Sequence, residues 1–348
     1  MNDLSPPVAQ PESQSDDQPS SRPKSPLGFE FRGDGMEYFK IWIVNILLTI
    51  LTLGIYSAWA TVRNNRYFYS NLYLDDNNFR YLAEPIQILK GRLIAIAALV
   101  LFTITSQMAP VIGLGLMLLL LVAIPYFVNQ SLAFTNRMSA YKNLQFRFKG
   151  SYGEAFMVLY VWPFVGILTL GILYPLALLR LNQYMVRNSS YGTTPFTFDA
   201  TFGDYGKIFL TMIGAGIVLA IPTWGLVAFV PSLALIAPVM AAAVYFGLIV
   251  FFMVKTTNLF YGSLALADHG FDADLQMGGL AKVILINTFL TIITLGLYLP
   301  AAKVRMAKYV CSCMVMHANG PLDNFVAAEK ENVSALGDEF GQAFDFAV

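Results

Sequence analysis

Charge is what this chain has least of. Of its 348 residues, 13% are Asp, Glu, Lys or Arg, against about 25% in soluble domains. None lies between Arg92 and Arg137, and none between Lys207 and Lys255. Charge-free runs of that length are not a pattern of soluble core helices. The formal net charge is zero, so no global field points to nucleic acid. Two cysteines, Cys311 and Cys313, are too few for a disulfide framework. There is no phosphate-binding loop, nucleophile elbow or His-Glu-x-x-His motif. The sequence therefore offers no catalytic, cofactor-binding or metal site, and the expectation is that the protein is not an enzyme. Cys311, Cys313 and His317 stand at a soft-ligand spacing, but a fourth ligand is not evident. No ionisable residue lies deep in an apolar segment, which counts against an ion-driven pump.

What is present is hydrocarbon. Apolar residues make up 56% of the chain. Seven apolar segments can be drawn, at about 38–59, 92–110, 111–130, 155–178, 207–229, 231–254 and 281–301. A bilayer crossing needs about 20 such residues. Membrane lipid is thus the expected partner, with no small-molecule ligand specified. Gly113 and Gly115, Gly214 and Gly216, and Ala241 to Ala243 allow close helix approach. They suit packing within one chain, and a homo-oligomer is the other use. Residues 1–27 are polar and proline-rich, with no signal peptide, so the first apolar segment is expected to serve as an uncleaved anchor.

The chain resembles itself. Residues 29–90 align with 146–207 at a constant shift of 117, with no gap. Thr52-Leu53-Gly54-Ile55 falls on Thr169-Leu170-Gly171-Ile172, and a third, partial copy carries Thr294-Leu295-Gly296. In all three, Ala follows six residues after the Gly, Arg nine after and Tyr thirteen after: Arg63 and Tyr67, Arg180 and Tyr184, Arg305 and Tyr309. The reading is a helix, a break at the glycine, and a second helix whose Arg and Tyr share a face. The arginines fit interfacial anchors that fix helix depth, or sites for an anionic headgroup. Asn45 and Asn287 are matched polar residues within apolar segments. They suit an interhelical hydrogen bond, or the lining of a pathway. In copy two Trp162 takes that place.

Short segments look extended. Phe29 and Phe31, Phe79 and Tyr81, Phe146 and Phe148, and Phe196 and Phe198 alternate with other residues. Asp75 to Asn78 and Tyr191 to Thr194 are turn-like. His269 beside Asp268 reads as a polar loop. The expected fold is an all-α polytopic membrane protein of helix–break–helix units and transmembrane hairpins, with only small β elements at the membrane surface. Its divisions are a polar tail at 1–27, repeat one at 28–145, repeat two at 146–265, a partial repeat three at 266–320, and an acidic tail at 321–348.

With Phe29-Glu30-Phe31-Arg32-Gly33, Leu51 to Ala60, Arg63, Tyr67, Phe79 and Tyr81 in view, the chain resembles the YjgN-like family of bacterial inner-membrane proteins. That family has no assigned function. The resemblance covers roughly residues 28–320 and implies location and architecture, without catalytic residues.

Two topologies compete. Seven crossings place copies one and two in opposite orientations, although their Arg and Lys positions match. A same-side arrangement makes each Thr-Leu-Gly segment re-enter, with only 92–130 and 207–254 crossing as hairpins. Their far-side turns then fall near Pro110 and Pro231, and all 22 Lys and Arg stay cytoplasmic. The sequence favours the second, with a cytoplasmic C-terminus. Function divides likewise between a channel-like or transporter-like pathway and a non-transporting scaffold or lipid-binding protein. A polar cavity through the apolar layer would separate them.

Overall fold

The computed structural model describes residues 25–229, 235–320 and 322. Its organising element is a closed antiparallel barrel of ten short strands. They are β1 (Ser25–Phe31), β2 (Leu72–Leu74), β3 (Asn77–Tyr81), β4 (Ser139–Tyr141), β5 (Leu144–Phe148), β6 (Ser189–Tyr191), β7 (Thr194–Phe198), β8 (Leu264–Leu266), β9 (His269–Ala273) and β10 (Met314–Ala318). Each pairs with its sequence neighbours, and β10 closes the ring on β1. This overturns the all-α expectation. The extended segments are not local surface pieces; together they close one barrel, which abolishes every free edge. The segment read as a polar tail reaches into this barrel, because Ser25, Pro26 and Leu27 pair with Ala318, His317 and Met316. His269, read as a loop residue, lies on β9 and is 7% exposed.

Helices fill every second connection. α1 (Gly35–Leu51) and α2 (Ser57–Ser70) join β1 to β2; α3 (Pro85–Met108) and α4 (Pro110–Met138) join β3 to β4. Between β5 and β6 runs one arm, Tyr152–Leu168, made of α5 (Tyr152–Phe156), a π-helical turn (Met157–Val161) and α6 (Trp162–Leu168), followed by α7 (Tyr174–Arg187). α8 (Phe202–Phe229) and α9 (Ala237–Gly262) join β7 to β8; α10 (Met277–Ile293) and α11 (Leu299–Ser312) join β9 to β10. Because all neighbouring strands are antiparallel, the odd strands share one direction. All five helix pairs therefore leave from the same end of the barrel, and the four tight hairpins lie at the other. The helices pack in chain order, and α11 closes on α1.

Each unit is strand, helix, helix, strand, and each closes with the same hydrogen bond. The N–H groups of Arg32, Leu82, Lys149, Asp199 and Asp274 donate to the carbonyls of Asn71, Met138, Asn188, Ser263 and Cys313, at 2.8–3.0 Å. The shift of 117 residues carries β1 through the start of α3 onto β5 through the start of α8, and the partial third copy falls in the fifth unit. The second and fourth units differ by having long arms. α3, α4 and α9 have 24, 29 and 26 residues, and α8 contributes at least the 20 residues Phe202–Ile221; these four are long and apolar enough to cross a membrane. Pro110 opens α4 directly after α3 ends, at the tip of its pair. A Cβ on Gly113 would sit 2.7 Å from the Ser106 backbone, so glycine there lets α3 and α4 meet. The turn expected near Pro231 lies outside the described residues.

Candidate functional site

Two features stand out: the bore of the barrel and the tips of the short helix pairs. Along the odd strands Phe29, Phe79, Phe146, Phe196 and Phe271 occupy one level. Across the strand pairs they face Leu74, Tyr141, Tyr191, Leu266 and Met316. The residues between inward positions point out: Glu30, Arg80, Arg147, Thr197 and Asp272 are exposed. This is the period-two alternation of a half-buried strand. The five facing residues are buried and form one apolar cluster with Leu144 and Leu322, against which the phenylalanines pack. The Tyr141 hydroxyl donates to Leu74 O at 2.7 Å and the Tyr191 hydroxyl to Tyr141 O at 2.8 Å. Both phenols thus knit strand to strand.

One residue further along each odd strand's inner face, five separate clusters seat the helix pairs. In the first, Phe31 packs with Tyr38, Tyr67, Val304 and Cys311; in the third, Phe148 with Ala155, Val158 and Tyr184. Tyr67 ties the strand-to-helix junction: its hydroxyl donates to Asp34 O and accepts from Asp34 N–H, both at 2.8 Å. Tyr309 does the same to Gln276, at 3.0 and 3.2 Å. Tyr184 instead bonds Asn129 on α4. Burial pushes the Tyr67 and Tyr184 phenols up to about 12. Asp34 caps α1 by accepting from the Met36 and Glu37 N–H groups, and the Glu37 and Met36 bonds hold its carboxyl below the usual range.

The three short pairs turn in the same way. Gly54, Gly171 and Gly296 have φ of +93°, +89° and +93°, each after a leucine near +50°. Their N–H groups donate to Thr49 O, Gly166 O and Thr291 O at 2.7–2.8 Å. Thr52, Thr169 and Thr294 accept from the N–H four residues on, at 2.9–3.1 Å. That bond explains the Thr of the motif, and the positive φ explains the Gly. Leu53, Leu170 and Leu295 at the tips are 94–95% exposed.

The repeated spacing places Arg63, Arg180 and Arg305 one arm up from these tips. Arg180 lies 5.5 Å over the ring of Trp162, and Arg305 5.4 Å over Tyr298. Arg63 is exposed beside Arg66 in a shallow surface depression. Asn45, 2% exposed, donates to Asn64 Oδ1 at 2.9 Å; Asn287, 9% exposed, donates to Ala302 O at 3.0 Å. Each joins the two arms of its own pair. Arg180, Arg305, Asn45 and Asn287 each make these contacts within their own unit, whereas Tyr184 reaches Asn129 of the second unit. Cys311 is buried and Cys313 half-buried, and among the described residues no three potential metal ligands converge.

Sequence reasoning missed Asn64, and it missed the clamps between units. Arg66 donates to Ala83 O at 3.0 Å; Asn182 donates to the Tyr205 hydroxyl at 2.6 Å; Asn258 both donates to and accepts from Leu275, at 3.1 and 3.0 Å. Asn258 near the end of the apolar α9 was an available signal; Asn64, Arg66 and Asn182 lie on mixed helices where polar residues do not stand out.

The comparisons agree on kinship. The sequence signature of "Bacterial protein of unknown function (DUF898)" covers residues 26–343. The chain is 32% identical over 153 residues to "Inner membrane protein YjgN" of Salmonella typhimurium, covering 43% of this chain and 39% of that one. It is 31% identical over 148 residues to the protein of that name in Escherichia coli K12, covering 42% and 37%. The match thus spans well under half the length of these relatives. No solved structure matches. With its signature running almost from the first described strand past the last, the chain belongs to the DUF898 family of bacterial proteins.

Proposed function

We propose that this is a non-transporting inner-membrane protein whose working partner is lipid, and that it enters the bilayer from one side. The observation that carries this reading is the apolar filling of the barrel bore. The barrel sits on the common axis of the helix ring, and its interior is an aromatic and aliphatic cluster with both tyrosine hydroxyls already bonded to backbone. An ion or polar solute gains no partner there. The name of the YjgN relatives supports the location.

Lengths support the one-sided entry. The hydrocarbon layer is about 30 Å thick, and a helix rises about 1.5 Å per residue. α3, at 24 residues, spans ~36 Å and crosses. α1, at 17 residues, spans ~25 Å and begins with Glu37 and Lys40, so it stops short. Its partner α2 carries Arg63 and Arg66 and cannot continue outward. The two long pairs therefore cross and return, while the three short pairs re-enter with leucine tips in lipid. Arg63, Arg180 and Arg305 stand nine residues from the glycines, or ~14 Å, against a half-thickness of ~15 Å. With the tips at mid-bilayer, the arginines reach the headgroups of one leaflet. The barrel, its loops and the C-terminal strand then lie on the cytoplasmic side, where Lys and Arg are retained.

Reconstitution tests the absence of transport. Liposomes carrying the full chain should hold potassium and small-dye gradients as tightly as empty ones. A protein-dependent leak that falls when the bore is narrowed by Leu74→Tyr would replace this reading with the channel-like one.

A further inference from the structure

The bore is filled but not full. Its centre holds a cavity of about 330 Å³, at the small end of the range of about 300–1,000 Å³ usual for ligand sites. The five-phenylalanine ring and the five residues facing it line this space. The facing residues are buried, yet the phenylalanines are only partly so, although they point inward. They front an open volume and do not interdigitate to core density. Leu322 lies over the hairpin end and is 5% exposed. Toward the helices the lining continues through Leu72, Leu264, Met314 and Tyr261.

The lining chemistry selects the occupant. A cavity walled by carbon stays dry and takes apolar guests, because water needs two or more polar partners. Tyr141 and Tyr191 spend their hydroxyl protons on backbone carbonyls. Tyr261 differs: among the described residues its hydroxyl has no hydrogen-bond partner. It stands at the barrel end of α9, on the side from which the membrane helices leave. The space thus offers a long apolar wall and one polar contact at its membrane-facing side. We propose that the bore holds the end of a single hydrocarbon chain, drawn from the bilayer tail first, with its oxygen-bearing end at Tyr261. The cavity is too small for a whole phospholipid, so the chain belongs either to a fatty acid or to one acyl arm of a lipid whose headgroup stays outside. This inference rests on the lipid-partner reading above.

The test uses the full chain, purified in the steroid-based detergent CHAPS, which brings no alkyl chain of its own. cis-Parinaric acid, a fluorescent fatty acid, is titrated in, and co-purified lipid is extracted for mass spectrometry. Saturable fluorescence with about one site per chain is expected. The filling variant Leu74→Tyr/Leu266→Tyr places in two units the residue that the intervening units carry as Tyr141 and Tyr191. It should weaken uptake about tenfold or more, as overfilling a fitted site does, with helix content unchanged. Each single variant gives a smaller loss and serves if the double variant fails to fold. Tyr261→Phe should weaken the fatty acid while leaving a plain alkane competitor unaffected. Displacement by lysophospholipid identifies the acyl arm as the source, and displacement by oleate alone identifies the free acid. Uptake that does not saturate, or that the filled bore leaves unchanged, overturns the proposal. Liposomes that remain tight in that case leave the non-transporting reading standing; liposomes that leak remove the reading itself.

Discussion

Gly28 and Val315, from opposite ends of the described chain, face each other across the antiparallel pair of β1 and β10. This is the one seam of the barrel whose two strands are not consecutive in the chain. Facing residues in such a pair have Cα atoms about 4.5–5.5 Å apart, within disulfide range. In a background lacking Cys311 and Cys313, Gly28→Cys with Val315→Cys should cross-link under mild oxidation, visible as a faster-migrating band on non-reducing gels. Failure to cross-link while the single variants label readily would show that the ring is open.

Two glycines set how closely Tyr67 and Tyr184 dock. A Cβ on Gly33 would lie 2.6 Å from the Phe31 ring and 3.0 Å from the Tyr67 hydroxyl, and one on Gly150 would lie 2.6 Å from Phe148. Gly33→Ala and Gly150→Ala should each cost about 1–3 kcal/mol through overpacking. Gly54→Ala meets open space and pays only for its positive φ, about 1–2 kcal/mol. Thermal unfolding in detergent should rank the first two as the more damaging.

Asn45 and Asn64 should behave as a unit. Removing Asn64 leaves the Asn45 amide buried without its acceptor. Asn64→Leu alone is expected to destabilise by about 1 kcal/mol or more, and Asn45→Leu/Asn64→Leu by less than the sum. A double-mutant cycle should return a coupling near 0.6 kcal/mol, the mean for membrane interhelical bonds. A coupling of zero would mean that the bond does not form.

Tyr67 offers a pH test. Its phenol titrates near 10 when unfolded and is pushed up to about 12 when folded, chiefly by burial. The folded state therefore holds the proton more tightly, and the stability from the neutral phenol is complete below pH 10 and declines as pH rises toward 12. Tyr67→Phe should be less stable than the native chain at neutral pH, by about 1 kcal/mol for the lost bonds to Asp34. It should also show a shallower decline between pH 10 and 12. Equal slopes would indicate that Tyr67 is not buried.

The helices and their breaks were legible because both leave strong local marks: charge-free runs, and a Thr-Leu-Gly whose side chain and φ angle make the turn. The barrel was not legible, for three physical reasons. Its strands are three to seven residues long, too short for period two to stand out. Its turns use unusual residues: Asp75 and Asp76, then Lys142 and Asn143, take positive φ where Asn-Gly is the common choice. Its pairs, such as Phe79 with Tyr141 and Phe196 with Leu266, are separated by whole helix pairs. The fifth unit was seen only in part because Phe271 is followed by Ala273, so the paired aromatic that marks the other four is missing. The long second and fourth units hid as plain hairpins, since neither carries the Thr-Leu-Gly turn. Of the site, the arginines and tyrosines could be found from their spacing, whereas the bore needed all ten strands in place.

If every helix pair enters the bilayer from the cytoplasmic side, cysteine accessibility reads it directly. Single cysteines are introduced into the background lacking Cys311 and Cys313 and exposed on intact cells to a membrane-impermeant thiol reagent. Labelling should appear at Pro110→Cys, at the tip of α3 and α4. It should be absent at Asp76, Asn143, Thr193 and Asp268 on the hairpin turns, and absent at Leu53, Leu170 and Leu295 on the short-pair tips, until the cells are opened. Labelling at Thr193 but not at Asp76 in intact cells would mean that the first and third units face opposite ways, a result that no barrel with all its helices at one end permits.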